Sequence, residues 1–507
     1  MMMMNPAGHI RHYARRDPDK AAFIEGARKI SYRELDRRVD AMANLLAARG
    51  LRPKDRIALL APSGIDWVIC YMGILRLGAT AAPLNWKLTS DEILASIELV
   101  ETSLLVVHPD FNDALVPDYP GNKKLIMGGD GEWALQALLA DQSFDFDSDY
   151  EDQTSTQVIL FTGGTTGRQK GVMLSHQNLF LNTIQMVLDT EIRDDDVTAI
   201  LVPLHHAGGL VIWLLPHLYM GATSVIIPQY SSERLLDAIE NERVTNGWTP
   251  PSVTRDLLTH PDVKNRDLSS FRRWYVAGGP FPRSDRVAMK ALLPSVNIIY
   301  QYGLTEAGVM VSLLKDKDYE KAPDSIGRPF HHCEVKILRE DLEDADVDEV
   351  GEIAVRTPSV MQGYYGQPDA TAETFHNGWL RTGDMGRMDE AGYIYFHDRL
   401  KDMVKTGGFN VYSQEVEQVL LRHPAVREGA VFGRPSERWG EEVVAAVVPR
   451  DGAEVTAEDI LAYLKQGLSA YKVPKEIFLI SYSDMPINYS GKIMKKELRE
   501  RFKVVLK

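Results

Sequence analysis

Apolar residues in the first quarter of the chain switch repeatedly between two periods. "RIALLA" (56–61), "TAAPL" (80–84) and "SLLVVH" (103–108) are short continuous apolar runs, whereas "WVICYMGILRLGA" (67–79) and "DEILASIELV" (91–100) carry helical spacing. The order predicts strand, helix, strand, helix, strand, which favours parallel sheet covered by helices. Thr89 and Glu92 stand at capping-box spacing and predict where the second helix starts. Further strand signals recur at "VTAILVP" (197–203), "ATSVIIP" (222–228) and "NIIYQYG" (297–303). Beyond Gly351 the runs become shorter and turn-rich, as in "GEIAVRT" (351–357) and "GYIYFHD" (392–398), predicting a β-rich subdomain. A charged run meets Gly407 and Gly408 in "HDRLKDMVKTGGFNVYSQEVE" (397–417). The division expected there is a large N-terminal α/β domain (1–398), a hinge (399–402) and a small, mobile α+β domain (403–507). In that small domain, "SQEVEQVLLRH" and "AEDILAYLKQGL" read as helices and "EGAVFGR", "VVAAVVP" and "EIFLIS" as strands.

Composition narrows the class. With 507 residues, 44% hydrophobic and 25% charged, the chain can bury more than one core. A formal net charge of −14 argues against nucleic-acid or anionic-membrane binding, although a local pocket can still hold phosphates. Two distant cysteines, Cys70 and Cys333, exclude a disulfide framework. His331, His332 and Cys333 are adjacent, but successive strand residues point to opposite faces and no second pair stands at zinc spacing, so their expected role is structural. The "MMMM" start lacks the basic region and apolar core of a secretion signal and no apolar run reaches membrane-spanning length, which leaves a cytoplasmic enzyme as the expectation.

The segment "FTGGTTGRQKGV" (161–172) is a candidate phosphate cradle. It is not the P-loop of NTPases, because Lys170 follows Gln169 and precedes Gly171, leaving no hydroxyl at the magnesium position. The apolar "QVILFT" before it and "HQNLFLNTIQMVL" after it predict strand, glycine loop and helix, a phosphate-binding context. Taken alone, "GGTTG" reads equally as a tight turn. Four companions change its meaning: "YQYGLTEAG" (300–308), "GWLRTGDMG" (378–386), the run containing Arg399, and "PINYSGKIMKKEL" (486–498). In this order and spacing they resemble the adenylate-forming superfamily of acyl-CoA synthetases, luciferases and nonribosomal peptide adenylation domains. The resemblance extends from "ISYRELDRRVDAMANLLAARGLRPKDRIALL" (30–60) nearly to the C-terminus.

That resemblance implies ATP, Mg²⁺ and CoA as reactants and assigns residues to each. Thr162, Gly163, Gly164, Thr165, Thr166, Gly167 and Lys170 would close over the β- and γ-phosphates. Gly163 stands where serine is frequent and Gln169 where proline is frequent, which loosens the loop. Gln301, Tyr302, Gly303 and Thr305 join the nucleotide site, with Tyr302 against adenine and Thr305 on the α-phosphate. Glu306, with Thr162, would bind Mg²⁺ through hard oxygens; the alternative is a carboxylate stabilising a helix start. Asp384 would accept from the ribose and Arg399 donate to the sugar or a phosphate, against the bland reading of Asp384 as a surface-turn residue. Lys492 matches the lysine bridging the substrate carboxylate and the α-phosphate. His206, Gly278, Gly279 and Phe281 match the acyl pocket; Gly279 also borders the nucleotide, Phe281 is unexpected there, and His206 is either a gate or catalytic group or a buried core histidine. Lys401 matches the hinge, and Lys405, Gly407, Gly408 and Trp439 the CoA approach, with core tryptophan and surface lysine as the plain readings of Trp439 and Lys405. The implied activity is ATP-dependent carboxylate:CoA ligation, with a fatty, aryl or alicyclic acid left open and a homodimer compatible with the sequence. Adenylation that loads a separate carrier protein, or noncatalytic nucleotide binding on the same fold, are the competing readings.

Overall fold

The computed structural model describes residues 4–127, 134–147, 152–163, 169–487 and 493–503. Within them, the early alternation builds a parallel core of strands Arg56–Leu60, Thr80–Pro83, Leu104–Val107 and Lys124–Ile126. Helix Ile65–Leu77 is buried on nearly all sides, which is why its sequence is apolar around the whole circumference. Helix Ser90–Leu99 starts at the Thr89–Glu92 capping box read from the sequence.

The strand–loop–helix expectation at 157–188 is corrected. Strand Thr156–Gly163 is followed by an antiparallel strand, Gln169–Ser175, and only then by helix His176–Thr190, capped by Ser175 and Asn178. The helix that follows in sequence is therefore separated from Gly163 by a whole strand, and Gly163 pairs with Gln169. The missed strand carries buried Gly171, Val172, Leu174 and Ser175 interspersed with partly exposed residues. It pairs with Gly363–Tyr364 on its other side and makes the sheet mixed instead of wholly parallel.

A second, nine-stranded sheet runs in the order Arg328–Pro329, Val309–Leu314, Asn297–Leu304, Arg273–Ala277, Asn246–Thr249, Val197–Ile200, Thr223–Ile226, Ala21–Glu25, Arg28–Ser31. Its centre is parallel and its two ends antiparallel. One apolar cluster joins the two sheets, taking Ile57 and Val106 from the first, Tyr275 and Ile299 from the second, and Trp67, Leu179 and Trp213 from the helices between. The β-rich subdomain is an antiparallel sheet containing Glu334–Leu338, Gly351–Arg356, Trp379–Met388 and Ile394–Arg399. From Val404 the chain enters a separate sheet with its own core of Val404, Val431, Val443, Ile460 and Leu464. Among the described residues, no helix is long and apolar enough to cross a membrane.

Candidate active site

Strand Asn297–Leu304 leads into a single 3₁₀ turn, Thr305–Ala307, and returns as Val309–Leu314. The reversal is tight enough to demand glycine twice. A Cβ on Gly303 would lie 1.7 Å from the Val309 carbonyl oxygen, and one on Gly308, at φ +75°, would lie 1.9 Å from that of Ser359. Val309 itself has φ +122°, a costly conformation for a β-branched residue. These constraints fix where Thr305 and Glu306 stand. Because the turn is not the start of an α-helix, the helix-dipole reading of Glu306 has no basis in the fold.

Thr162 Oγ1 donates to Glu306 Oε1 across 3.4 Å, and the Tyr364 hydroxyl donates to the same oxygen at 3.1 Å. Burial and the Glu306 charge push the Tyr364 phenol well above its ordinary pKa, so it stays a donor. Lys170 pairs with Thr162 across the hairpin and holds its Nζ 4.4 Å from the centre of the Tyr364 ring. A carboxylate, two hydroxyls and an ammonium thus gather around Thr162, Lys170, Glu306 and Tyr364. Hard oxygens from Glu306 and Thr162 suit Mg²⁺, which needs only one or two protein carboxylates when phosphates complete its shell. Gly164, Thr165, Thr166 and Gly167 lie outside the described residues; Gly163 ends its strand with open space where a Cβ would be.

A second cluster forms around Tyr302, on the strand that leads into that turn. Buried Asp384 accepts from the Tyr302 hydroxyl at 2.7 Å and pairs with Arg399 Nε at 3.3 Å. Cross-strand register sets Asp384 opposite Arg399, and the Tyr302 ring lies 6.0 Å from that of Phe396. The carboxylate retains lone pairs beyond these two bonds. Gln301, between Tyr300 and Tyr302, points to the opposite sheet face, as alternation requires.

Along the neighbouring strand ends, Gly278 takes φ +85°, and the Gly279 carbonyl accepts from the Tyr300 hydroxyl at 3.0 Å. Phe281 packs 5.9 Å from the Tyr300 ring, which accounts for its bulk at that position. His206 Nδ1 accepts from the Gly208 N–H at 3.0 Å, and burial pushes its pKa down to about 4; His205 is pushed to about 3 by burial and by His206. Both are neutral at pH 7.

In the last sheet Gly407 (φ +55°) has no room for a Cβ, because Trp439 lies 2.9 Å from where one would be, and Gly407 N–H donates to the Trp439 carbonyl at 2.9 Å. Gly408 (φ +85°) faces open space, and Lys405 is exposed. The carbonyl of Lys401 accepts from Arg499 at 3.2 Å. Lys492 lies outside the described residues. Sequence reading missed Tyr364, whose signal was the paired aromatics of "GYYG" (363–366), and Phe396.

The chain matches the family model for AMP-binding enzymes over residues 10–365 and that for the AMP-binding enzyme C-terminal domain over 415–492. A feruloyl-CoA synthase of an Amycolatopsis species is 34% identical over 490 residues, covering 96% of this chain and 97% of its own. The fatty acid–[acyl-carrier-protein] ligase ScoC of Streptomyces coeruleorubidus is 32% identical, covering 97% and 95%. ATP-bound MatB from Rhodopseudomonas palustris superposes with a TM-score of 0.91 at 30% identity, over 99% of this chain and all of its own. The chain belongs to the AMP-binding enzyme family, within the adenylate-forming superfamily. Its class is that of the AMP-forming acid–thiol ligases, whose reactants are ATP with Mg²⁺ and a thiol acceptor, CoA.

Proposed function

We propose that this enzyme joins a small-molecule carboxylate to CoA in two steps. A carboxylate oxygen attacks the α-phosphorus of ATP and pyrophosphate leaves; the CoA thiolate then attacks the acyl carbon and AMP leaves. The observation that supports this best is the pair of clusters flanking one strand end, Glu306–Thr162–Tyr364 and Asp384–Tyr302–Arg399. The first has the donor set for a metal and phosphates, the second for a ribose and a flat ring.

In this reading Asp384 accepts from the ribose hydroxyls, Tyr302 covers adenine and Arg399 holds Asp384 in place while reaching the sugar or a phosphate. Thr305 donates to the α-phosphate; Thr162, Gly163, Gly164, Thr165, Thr166, Gly167 and Lys170 bind the departing pyrophosphate. Glu306 and Thr162 hold Mg²⁺, which when bound offsets phosphate charge. Lys492 stabilises the charge brought together as the carboxylate attacks. His206, neutral and buried, borders the acyl group with Gly278, Gly279 and Phe281. Rotation of residues 403–507 about a 399–402 hinge, at Lys401, then exchanges Lys492 for Gly407 and Gly408, with Lys405 and Trp439 beside the incoming pantetheine. Buried, unpaired Cys70 and Cys333 suit a cytoplasmic enzyme.

A carrier-protein thiol is the second reading, favoured by the similarity to ScoC and by the exposed, stacked Phe409 and Tyr471 next to Gly408. Pyrophosphate release and thioester formation across a carboxylate panel, with CoA or a phosphopantetheinylated carrier protein as acceptor, test both. Thioester on CoA is expected; transfer only to the carrier would replace the first reading by the second.

A further inference from the structure

Gln301 is 1% exposed, yet neither Oε1 nor Nε2 of its amide has a partner. Every other buried amide among the described residues with an unpartnered atom, such as Asn182 or Gln185, bonds through its other end. Leaving both ends of an amide unsatisfied is costly, so such a group calls for a ligand that satisfies it.

Its surroundings say which ligand. Gln301 is in register with Ala277, the residue before Gly278 and Gly279, and shares its sheet face. One strand further, Trp248 pairs with Tyr275, two residues before Ala277, and so faces the same way. The Trp248 indole N–H is also buried without a partner. The segment carrying His206 lies against it: a Cβ on Gly208 would sit 2.9 Å from the Trp248 ring and 3.1 Å from His206 Nδ1. Gln301 and Trp248 thus flank strand Arg273–Ala277 on one sheet face, each offering an unmatched hydrogen-bonding group near the strand ends where the proposed acyl pocket begins.

We propose that Gln301 is a specificity determinant of the acyl pocket and selects acids carrying a neutral hydroxyl group away from the carboxylate. The inference rests on the ligase reading above. A hydroxyl both donates and accepts, so one group satisfies Gln301 Oε1 as donor and takes a hydrogen bond from Nε2 or from the Trp248 indole. A keto oxygen would leave Oε1 unmatched. A second carboxylate would meet no cation from Gln301 or Trp248. An unsubstituted hydrocarbon acid would leave the whole amide dry and unpaired, the kind of mismatch by which hydrogen-bonding sites reject analogues that lack a hydroxyl.

The test uses matched acids with and without the hydroxyl, such as 4-hydroxycinnamate and cinnamate, 4-hydroxybenzoate and benzoate, and 8-hydroxyoctanoate and octanoate. Pyrophosphate release is followed with wild type, Gln301→Met and Gln301→Leu. For at least one pair, wild type is expected to favour the hydroxylated acid in kcat/KM by about 100-fold or more. Both variants are expected to reverse that preference, losing the hydroxylated acid and gaining the plain one, while melting no lower than wild type because an unpaired buried amide has been removed. Wild type that uses plain acids as well as hydroxylated ones, or variants that lower both alike, would overturn the inference and leave the ligase reading intact. Failure of both variants to fold would also overturn it, since the amide would then have a structural partner. Pyrophosphate from none of the acids would instead remove the ligase reading, and this inference with it.

Discussion

Glu306, Asp384 and His206 each make a separate expectation at the scale of the residue. Glu306 shares one oxygen with Thr162 and Tyr364, so Glu306→Gln keeps the shape and removes the charge. The Mg²⁺ concentration giving half-maximal adenylation is expected to rise about 10-fold; an unchanged magnesium titration would take Glu306 out of the metal site. Asp384→Ala removes the acceptor that Tyr302 and Arg399 already hold in position. Hydrogen bonds to a charged group contribute about 1.5–3 kcal/mol, so KM for ATP should rise roughly 10–100-fold with KM for the acid nearly constant. His206 tests the electrostatics. Burial lowers its folded pKa to about 4 from an unfolded 6.5, so acidification loads a proton onto the unfolded chain first and stability falls from pH 6.5 towards 4. Urea midpoints of wild type and His206→Gln across that window should diverge, the wild type losing stability more steeply; parallel curves would mean that His206 is not held neutral.

At the scale of the element, the turn after strand Asn297–Leu304 separates two kinds of glycine. Gly308 combines φ +75° with a carbonyl 1.9 Å from where a Cβ would go, whereas Gly278 has φ +85° but open space. Gly308→Ala is expected to destabilise by about 3 kcal/mol or more, adding a clash to the backbone cost, and Gly278→Ala by only about 1–2 kcal/mol. Equal melting temperatures for the two variants would contradict that reading of the turn. The same elements show what the sequence made legible. Continuous apolar runs placed strands Arg56–Leu60, Thr80–Pro83 and Leu104–Val107, because strands buried on both faces have no other pattern. Strand Gln169–Ser175 escaped because it follows the glycine segment directly and its alternation is too short to stand apart from the helix behind it. Tyr364 escaped for another reason: it reaches Glu306 only through pairing of strand Gly363–Tyr364 with the hairpin, a contact between segments nearly two hundred positions apart that no local pattern encodes. Gln301 was read with its nucleotide-facing neighbours, and only the alternation of the strand turns its side chain away from them.

At the scale of the molecule, the hydrogen bond from Tyr302 to Asp384 ties the nine-stranded sheet to the β-rich subdomain, and Arg399, paired with Asp384, stands five residues before Val404, where a new sheet begins. The proposed rotation about Lys401 would act there. Lys492→Ala is expected to lose acyl-adenylate formation while still converting supplied acyl-adenylate and CoA to thioester, and Gly408→Leu, filling open space at φ +85°, to do the reverse. Loss of both half-reactions by a folded Lys492→Ala would contradict alternation between two orientations. The central claim is that a carboxylate oxygen attacks the α-phosphorus, and it can be followed by isotope. Turnover of an acid labelled with ¹⁸O at both carboxylate oxygens should place one label in AMP and keep the other in the thioester carbonyl, with none in pyrophosphate. Unlabelled AMP, or label in released phosphate or pyrophosphate, would show that the acid is activated by another route.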